Sequence, residues 1–184
     1  NLDHGTDFAT FVDGMPINMP THAHGQGYTD LNFLIPELVG SIRYRKGLYA
    51  AEDGDFSSAG TARIQLMDQL PGSATGPLGG LASLTLGERG YVRALVAQSA
   101  ALRTGTLLAA IDAGYNNGPW TPSQNLQRFN GLLRYSLNEG GINQSSTLMG
   151  YTSKWRSTDQ VPQRAIDDGR IGRFDAIDPT DRGA

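Results

Sequence analysis

The sequence predicts a mainly β chain: a partial mixed α/β segment followed by antiparallel strands of the transmembrane β-barrel kind. Three observations predict it. Segments of about ten residues after Gly80 alternate apolar and polar side chains, which sorts the two kinds onto opposite faces of a strand. Their connections are unequal, with short turns at 102–105 and 138–141 but long polar stretches at 116–125 and after Ser157. The composition, 24 Gly with 18% charged residues, suits turns and strands better than packed helices.

Taken in order, residues 8–12 form an apolar run that Asp13-Gly14 closes as a turn, because both positions tolerate positive φ. Pro36 suits the first turn of a helix, where its missing N–H would have no partner, and Gly40 keeps that helix short. Residues 42–45 read as a strand whose basic side chains reach water, and residues 61–66 as another. Periodicity stops between Met67 and Gly80, and residues 68–77 are a linker by composition. The expected domains are therefore 1–75 and 76–184.

Beyond the linker, Leu107, Ala109, Ile111, Ala113 and Tyr115 share one face of a strand, opposite Asp112. Phe129, Leu133, Tyr135 and Leu137 oppose Arg128, Asn130, Arg134 and Ser136. In the last strand Thr147, Met149, Tyr151 and Trp155 oppose Thr152, Lys154 and Arg156. Tyr115, Tyr135, Tyr151 and Trp155 lie at strand ends, as an interfacial aromatic belt requires. A soluble sheet with one dry face alternates in the same way, but soluble strands usually run to about five or six residues.

Bulk properties exclude several classes. A net charge of −3 and a pI near 5.5 give no basic field for nucleic acid. Without cysteine, neither a disulfide framework nor a thiolate metal site can form. No run approaches the roughly 20 apolar residues of a membrane-spanning helix. No Gly-x-Ser-x-Gly elbow or other nucleophile constellation appears, so the chain reads as a non-enzyme with no catalytic residue and no cofactor. It opens without Met and closes on a polar, Asp-rich tail, and reads as a piece of something longer.

The chemistry-bearing candidates are few. His22 and His24 would share a face if they lay on a strand and could then reach one metal ion, but the spacing supplies no third ligand and no metal site is assigned. Gly25-x-Gly27 lacks the third glycine of a dinucleotide fingerprint, and Glu52-Asp53-Gly54-Asp55 lacks calcium-loop spacing and reads as a turn. Arg43, Arg45 and Lys46 are either an anion site or a surface whose charges find carboxylates on a facing polar wall.

Four features in order carry a resemblance: Phe11-Val12-Asp13-Gly14-Met15-Pro16-Ile17, the loop from Pro20 to Tyr28, the stretch from Ile35 to Gly47, and the turn at 53–60 entering Thr61-Ala62-Arg63-Ile64-Gln65-Leu66. This order resembles the second half of the plug domain of TonB-dependent outer-membrane receptors. Asp13, Gly14, Lys46 and Gly47 fall on the family's plug motif, as structural positions. Arg43 stands where the family usually has Glu, Leu48 where Pro is usual, and Ser58-Ala59-Gly60-Thr61 replaces a Gly-Gly-Val run. The resemblance is strongest over residues 2–66 and thinner across the strands.

The resemblance implies energy-coupled uptake of a scarce nutrient, such as a siderophore-like chelate, across the outer membrane of a Gram-negative bacterium. It implies an inner-membrane TonB-type coupling protein that engages an N-terminal segment outside this sequence, and contact with outer-membrane lipid. It places the loop after Asp13-Gly14 at the plug apex, which makes Asn18, Thr21, His22, His24, Gln26 and Tyr28 the candidate substrate contacts. A passive outer-membrane channel or adhesin barrel, and a soluble β-rich binding module, stand as alternatives. Leu107, Ile111, Phe129 and Leu133 packed against residues 11–66, with the arginines in water, would end the barrel reading.

Overall fold

The computed structural model describes residues 6–71, 78–158 and 160–184. The chain is mainly β and divides into two compact units, Asn1–Met67 and Asp68–Ala184. The expected boundary at 75/76 lies outside the described residues.

The first unit is a four-stranded sheet in the order β2-β1-β4-β3. Its strands are β1 (Phe8–Val12), β2 (Met15–Pro16), β3 (Val39–Lys46) and β4 (Gly60–Leu66). β1 lies parallel to β4, while the β1–β2 and β3–β4 pairs are antiparallel. Asp13 and Gly14 both have positive φ, 48° and 83°. Both signs match the type I′ turn that joins twisted strands without splaying them. The Asp13 carboxylate also accepts the Leu66 amide at 3.0 Å, tying the turn to β4. Among the described residues this unit holds no α-helix, only short 3-10 turns at Pro36–Leu38 and Ala51–Asp53. The proline starts the first of these, and extended Val39 ends it by opening β3. Ala9, Val12, Ile35, Leu38, Ile64 and Leu66 are buried.

The second unit is an open six-stranded antiparallel sheet in the order β10-β9-β8-β7-β6-β5. Its strands are β5 (Leu78–Leu86), β6 (Val92–Leu102), β7 (Gly105–Asn116), β8 (Leu126–Glu139), β9 (Ile142–Arg156) and the short β10 (Arg182–Gly183). From β5 to β9 the lengths are 9, 11, 12, 14 and 15 residues. All reach the roughly 9–11 residues that a tilted strand needs to cross a bilayer. Gly140 and Gly141, at φ 62° and 81°, make the tight β8–β9 turn that only residues free of a Cβ adopt readily.

At the opposite end the β5–β6 connection is short, at residues 87–91, and the segments after β7 and β9 are long. Residues 117–125 and 157–184 interlock there through the Thr121 amide on the Phe174 carbonyl (2.8 Å) and the Trp120 and Phe174 rings, 6.1 Å apart. A short helix, α1 (Gln163–Asp167), lies within the second of these segments.

Candidate functional site

The loop that follows β2 is pinned at its neck. Met19 donates its amide to Tyr28 O (2.9 Å), and Gly27 donates to Met19 O (2.8 Å). Asn18 is buried, and its amide is committed to backbone. Its Oδ1 accepts from Thr10 N at 2.7 Å, while Nδ2 donates to Phe8 O at 3.0 Å and Gly27 O at 3.1 Å. Asn18 therefore holds the loop on β1, a role the sequence did not signal.

The pinned neck presents rings. His22 stacks on Tyr28 with centroids 4.2 Å apart and planes 10° from parallel, and His24 meets the same phenol edge-on at 5.7 Å. The His24 amide donates to His22 Nδ1 (3.1 Å), which places the neutral ring's proton on Nε2. Residues 20–27 form a loop and not a strand, so the two imidazoles do not share a strand face. Among the described residues no group of three or more His, Asp or Glu is placed to hold a metal ion. Thr21, His22, His24 and Gln26 are exposed and Tyr28 is half-buried. The result is an open aromatic platform with donors and acceptors around it, suited to stacking and hydrogen bonding with a polar ligand.

Below the loop, the expected motif residues do structural work. Gly47 has φ +83° and donates its amide to Ala59 O (2.7 Å), and Lys46 is opposite Gly60 in the register. Asp53, read from sequence as part of a turn, is fully buried between Arg45 Nη1 and Arg63 Nη2, each 3.0 Å away. The Arg63 guanidinium also lies 4.4 Å over the Phe11 ring. Arg43 and Arg63 stand directly opposite each other, a like-charge pairing that weakens a sheet. Asp53 offsets that repulsion by bridging Arg63 to Arg45. Arg45 thus finds its carboxylates, Asp53 and Glu52, inside its own unit.

The second unit leaves apolar side chains exposed on one face of its sheet and buries charged ones on the other, beside Leu95, Leu108 and Leu132. Ile111 is 54% exposed, Phe129 and Leu133 46% each, and Val96 61%. Register places Val96 beside Ile111, Ala113 beside Phe129, and Ala109 beside Leu133, so these side chains share one continuous face. Arg93, Asp112, Arg128 and Arg134, every charge between Val92 and Leu137 on β6, β7 and β8, lie on the other face. There Asp112 and Asn130 are wholly buried and Arg134 is 5% exposed. Asp112 accepts from Arg93 Nε at 2.8 Å and from Arg128 Nη2 at 3.1 Å, tying three strands together by charge.

Phenols mark both ends of the exposed apolar face. Tyr115 donates to Asn117 and Asn125 at the end with long connections, and Tyr135 meets the Thr104 hydroxyl at the short-turn end. The expected faces of β9 are reversed, however. Tyr151 is opposite Asn130 and Thr147 opposite Arg134, so Thr147, Met149 and Tyr151 share the polar face, and Leu148, 72% exposed, carries the apolar one. Tyr151 and Trp155 therefore do not lie on the exposed apolar face with Tyr115 and Tyr135.

Residues 68–71 lie along the polar face. Leu70 donates its amide to Ser99 Oγ at 3.0 Å, and Asp68 Oδ1 accepts from Ser136 Oγ at 2.6 Å and Arg134 Nη2 at 2.8 Å. Burial alone would raise the Asp68 carboxyl, but hydrogen bonds from Ser136 and Arg134, with the Arg134 charge, hold it below the usual carboxylate range. Asp175 is likewise held low, by the Thr121 hydroxyl and the Gly172 amide. The chain matches no family model and no curated protein.

Proposed function

We propose that this chain is part of a TonB-dependent outer-membrane transporter that takes up a scarce nutrient, such as a siderophore-like chelate, in a Gram-negative bacterium. In this reading residues 1–75 are the back half of the plug, of the family's mixed α/β kind, and its linker. Residues 76–184 are the first strands of the barrel. The observation that carries the reading is the sorting of the sheet: long strands with Val96, Ile111, Phe129 and Leu133 exposed on one face, and ion-paired arginines drawn in beside Leu95, Leu108 and Leu132 on the other. In water that arrangement leaves a continuous apolar patch exposed, whereas in lipid it is the stable one.

The open edges support the same reading. Among the described residues no strand pairs the outer side of β5 or most of that of β9, and within a bilayer only further strands can satisfy such backbone groups. The platform of His22, His24 and Tyr28, with Thr21 and Gln26, receives the ligand by stacking and hydrogen bonds. Energy from an inner-membrane TonB-type partner then drives uptake.

None of these 184 residues is cysteine, so a reporter placed among them is the one thiol of this segment. In cells expressing the full-length protein, Val96→Cys and Leu133→Cys should resist a water-soluble thiol reagent, and lipid-confined quenchers should reach their labels. Water-accessible labels at both positions would sink the membrane assignment. Nutrient uptake that persists after the coupling partner is deleted would instead point to a passive channel.

A further inference from the structure

We propose that the outer end of β9 binds a phosphate-bearing lipid headgroup through Lys154, Arg156 and Arg182. This rests on the membrane reading above and extends it from lipid contact in general to a built site. Arg156 and Arg182 are register partners, so two guanidinium groups project directly opposite each other on one face. Like charges in that relation destabilise a strand pair unless an anion lies between them. Lys154 follows two residues away on the same face, opposite Gln127. With Gln124, Asn125 and Ala184 these cations line a cleft of about 420 Å³, to which Trp155 also contributes from the opposite face of β9.

Among the described residues none of the three cations forms an ion pair. The acidic neighbour Asp181 is turned to backbone. Its Oδ1 accepts the Arg182 amide at 2.8 Å, and its carbonyl accepts the Ser157 amide. The guanidinium fork matches a phosphate in a bidentate way, and Lys154 adds a third positive charge.

Position identifies the ligand's source. Lys154 lies two register steps past the Phe129–Thr152 row, where the exposed apolar face of the sheet ends. It shares that face with Leu148, six residues earlier on β9, or roughly 20 Å along the strand. The cluster sits at the end with the long connections, level with the hydroxyl of Tyr115 and its partner Asn125. Basic residues placed just past an apolar band meet headgroups, and anionic ones are favoured.

The test uses full-length protein in vesicles carrying a fluorophore on Thr152→Cys, which faces out beside Phe129. Brominated phosphatidylglycerol should quench it more strongly than brominated phosphatidylcholine. Each cation near the surface contributes about fivefold in association, so converting Lys154, Arg156 and Arg182 to Gln should lower the preference roughly a hundredfold. Lysine at 156 and 182 should restore most of it, whereas a merely packing role for the guanidinium groups would not be rescued.

Equal quenching by the two lipids in the wild type overturns the site. Inorganic phosphate that competes at micromolar levels overturns the lipid assignment and makes the cleft a site for a soluble phosphate ester. Absence of quenching by either lipid means that the sheet does not face a bilayer, and it is the transporter reading that fails.

Discussion

Replacing Ile111 by Arg separates a sheet that faces lipid from one that faces water. Ile111 is 54% exposed and stands four register steps from Tyr115 and four from Leu107, the residue opposite Tyr135. Four residues span roughly 13 Å of strand, or about 9 Å along the membrane normal at a tilt of about 45°. The position is thus midway between the two tyrosine rows, at the centre of an apolar band that is about 25 Å tall in outer-membrane barrels.

An arginine there costs about 2–4 kcal/mol in a bilayer. At an exposed position of a soluble sheet the same change stays within about 0.5 kcal/mol. Leu102→Arg is the matched control, since Leu102 lies on the same face opposite Gly105, beside the short turn. Near the interface the cost falls to about 0–1 kcal/mol. Urea titration of the full-length protein folding into vesicles measures both. Wild-type stability for Ile111→Arg, or equal losses at the two positions, would refute the reasoning from the sorting of the sheet.

Asp112→Asn leaves Arg93 and Arg128 without the carboxylate that joins them. Because Arg128 keeps some access to water (28% for its side chain), the loss in the same titration should sit at the low end for broken buried pairs, about 3 kcal/mol. Asp68 predicts acid sensitivity. Its carboxyl in the folded chain titrates below the unfolded value of about 3.9, so its contribution is complete above about pH 4 and is lost as pH falls through the folded value. Hydrogen exchange at the Leu70 amide should accelerate over that window, and Asp68→Asn should remove the pH dependence. Asn18→Ala should lower the melting temperature, since it strips hydrogen bonds from buried backbone at about 1–3 kcal/mol, with little change in the ligand affinity of the folded protein. Tyr28→Ala should do the reverse. Losing the ring on which a ligand would stack, worth about 0.5–1.5 kcal/mol, lowers affinity roughly two- to tenfold in a ligand titration, while the melt loses only the exposed ring contacts with His22 and His24.

Local chemistry was legible in the amino-acid order. Asp13-Gly14 and Gly140-Gly141 announce tight turns because their positive φ values depend on those residue types and little else. The alternation through Leu107, Ile111, Phe129 and Leu133 marks strands and pairs their faces, since a period of two is a property of the backbone. Pro36 and Gly40 bounded a helical turn, and its short 3-10 form follows from how few residues separate them.

What only the tertiary structure decided depends on partners far away in sequence. Met149, Tyr151 and Trp155 look like an apolar face when β9 is read alone. Pairing with Asn130 and Arg134 of β8 puts the Tyr151 and Thr147 positions on the charged side, and register between strands is not written in either strand separately. Asp53 becomes a buried bridge only once Arg45 and Arg63 converge on it, and Asp68 reaches Arg134 and Ser136 across 66 and 68 residues of chain. Asn18 reads as a ligand contact by position, and its amide is taken up by three main-chain groups, two from β1 and one from Gly27. Periodicity and turns are short-range properties of the chain, whereas ion pairs, register and polar satisfaction exist only after distant segments meet.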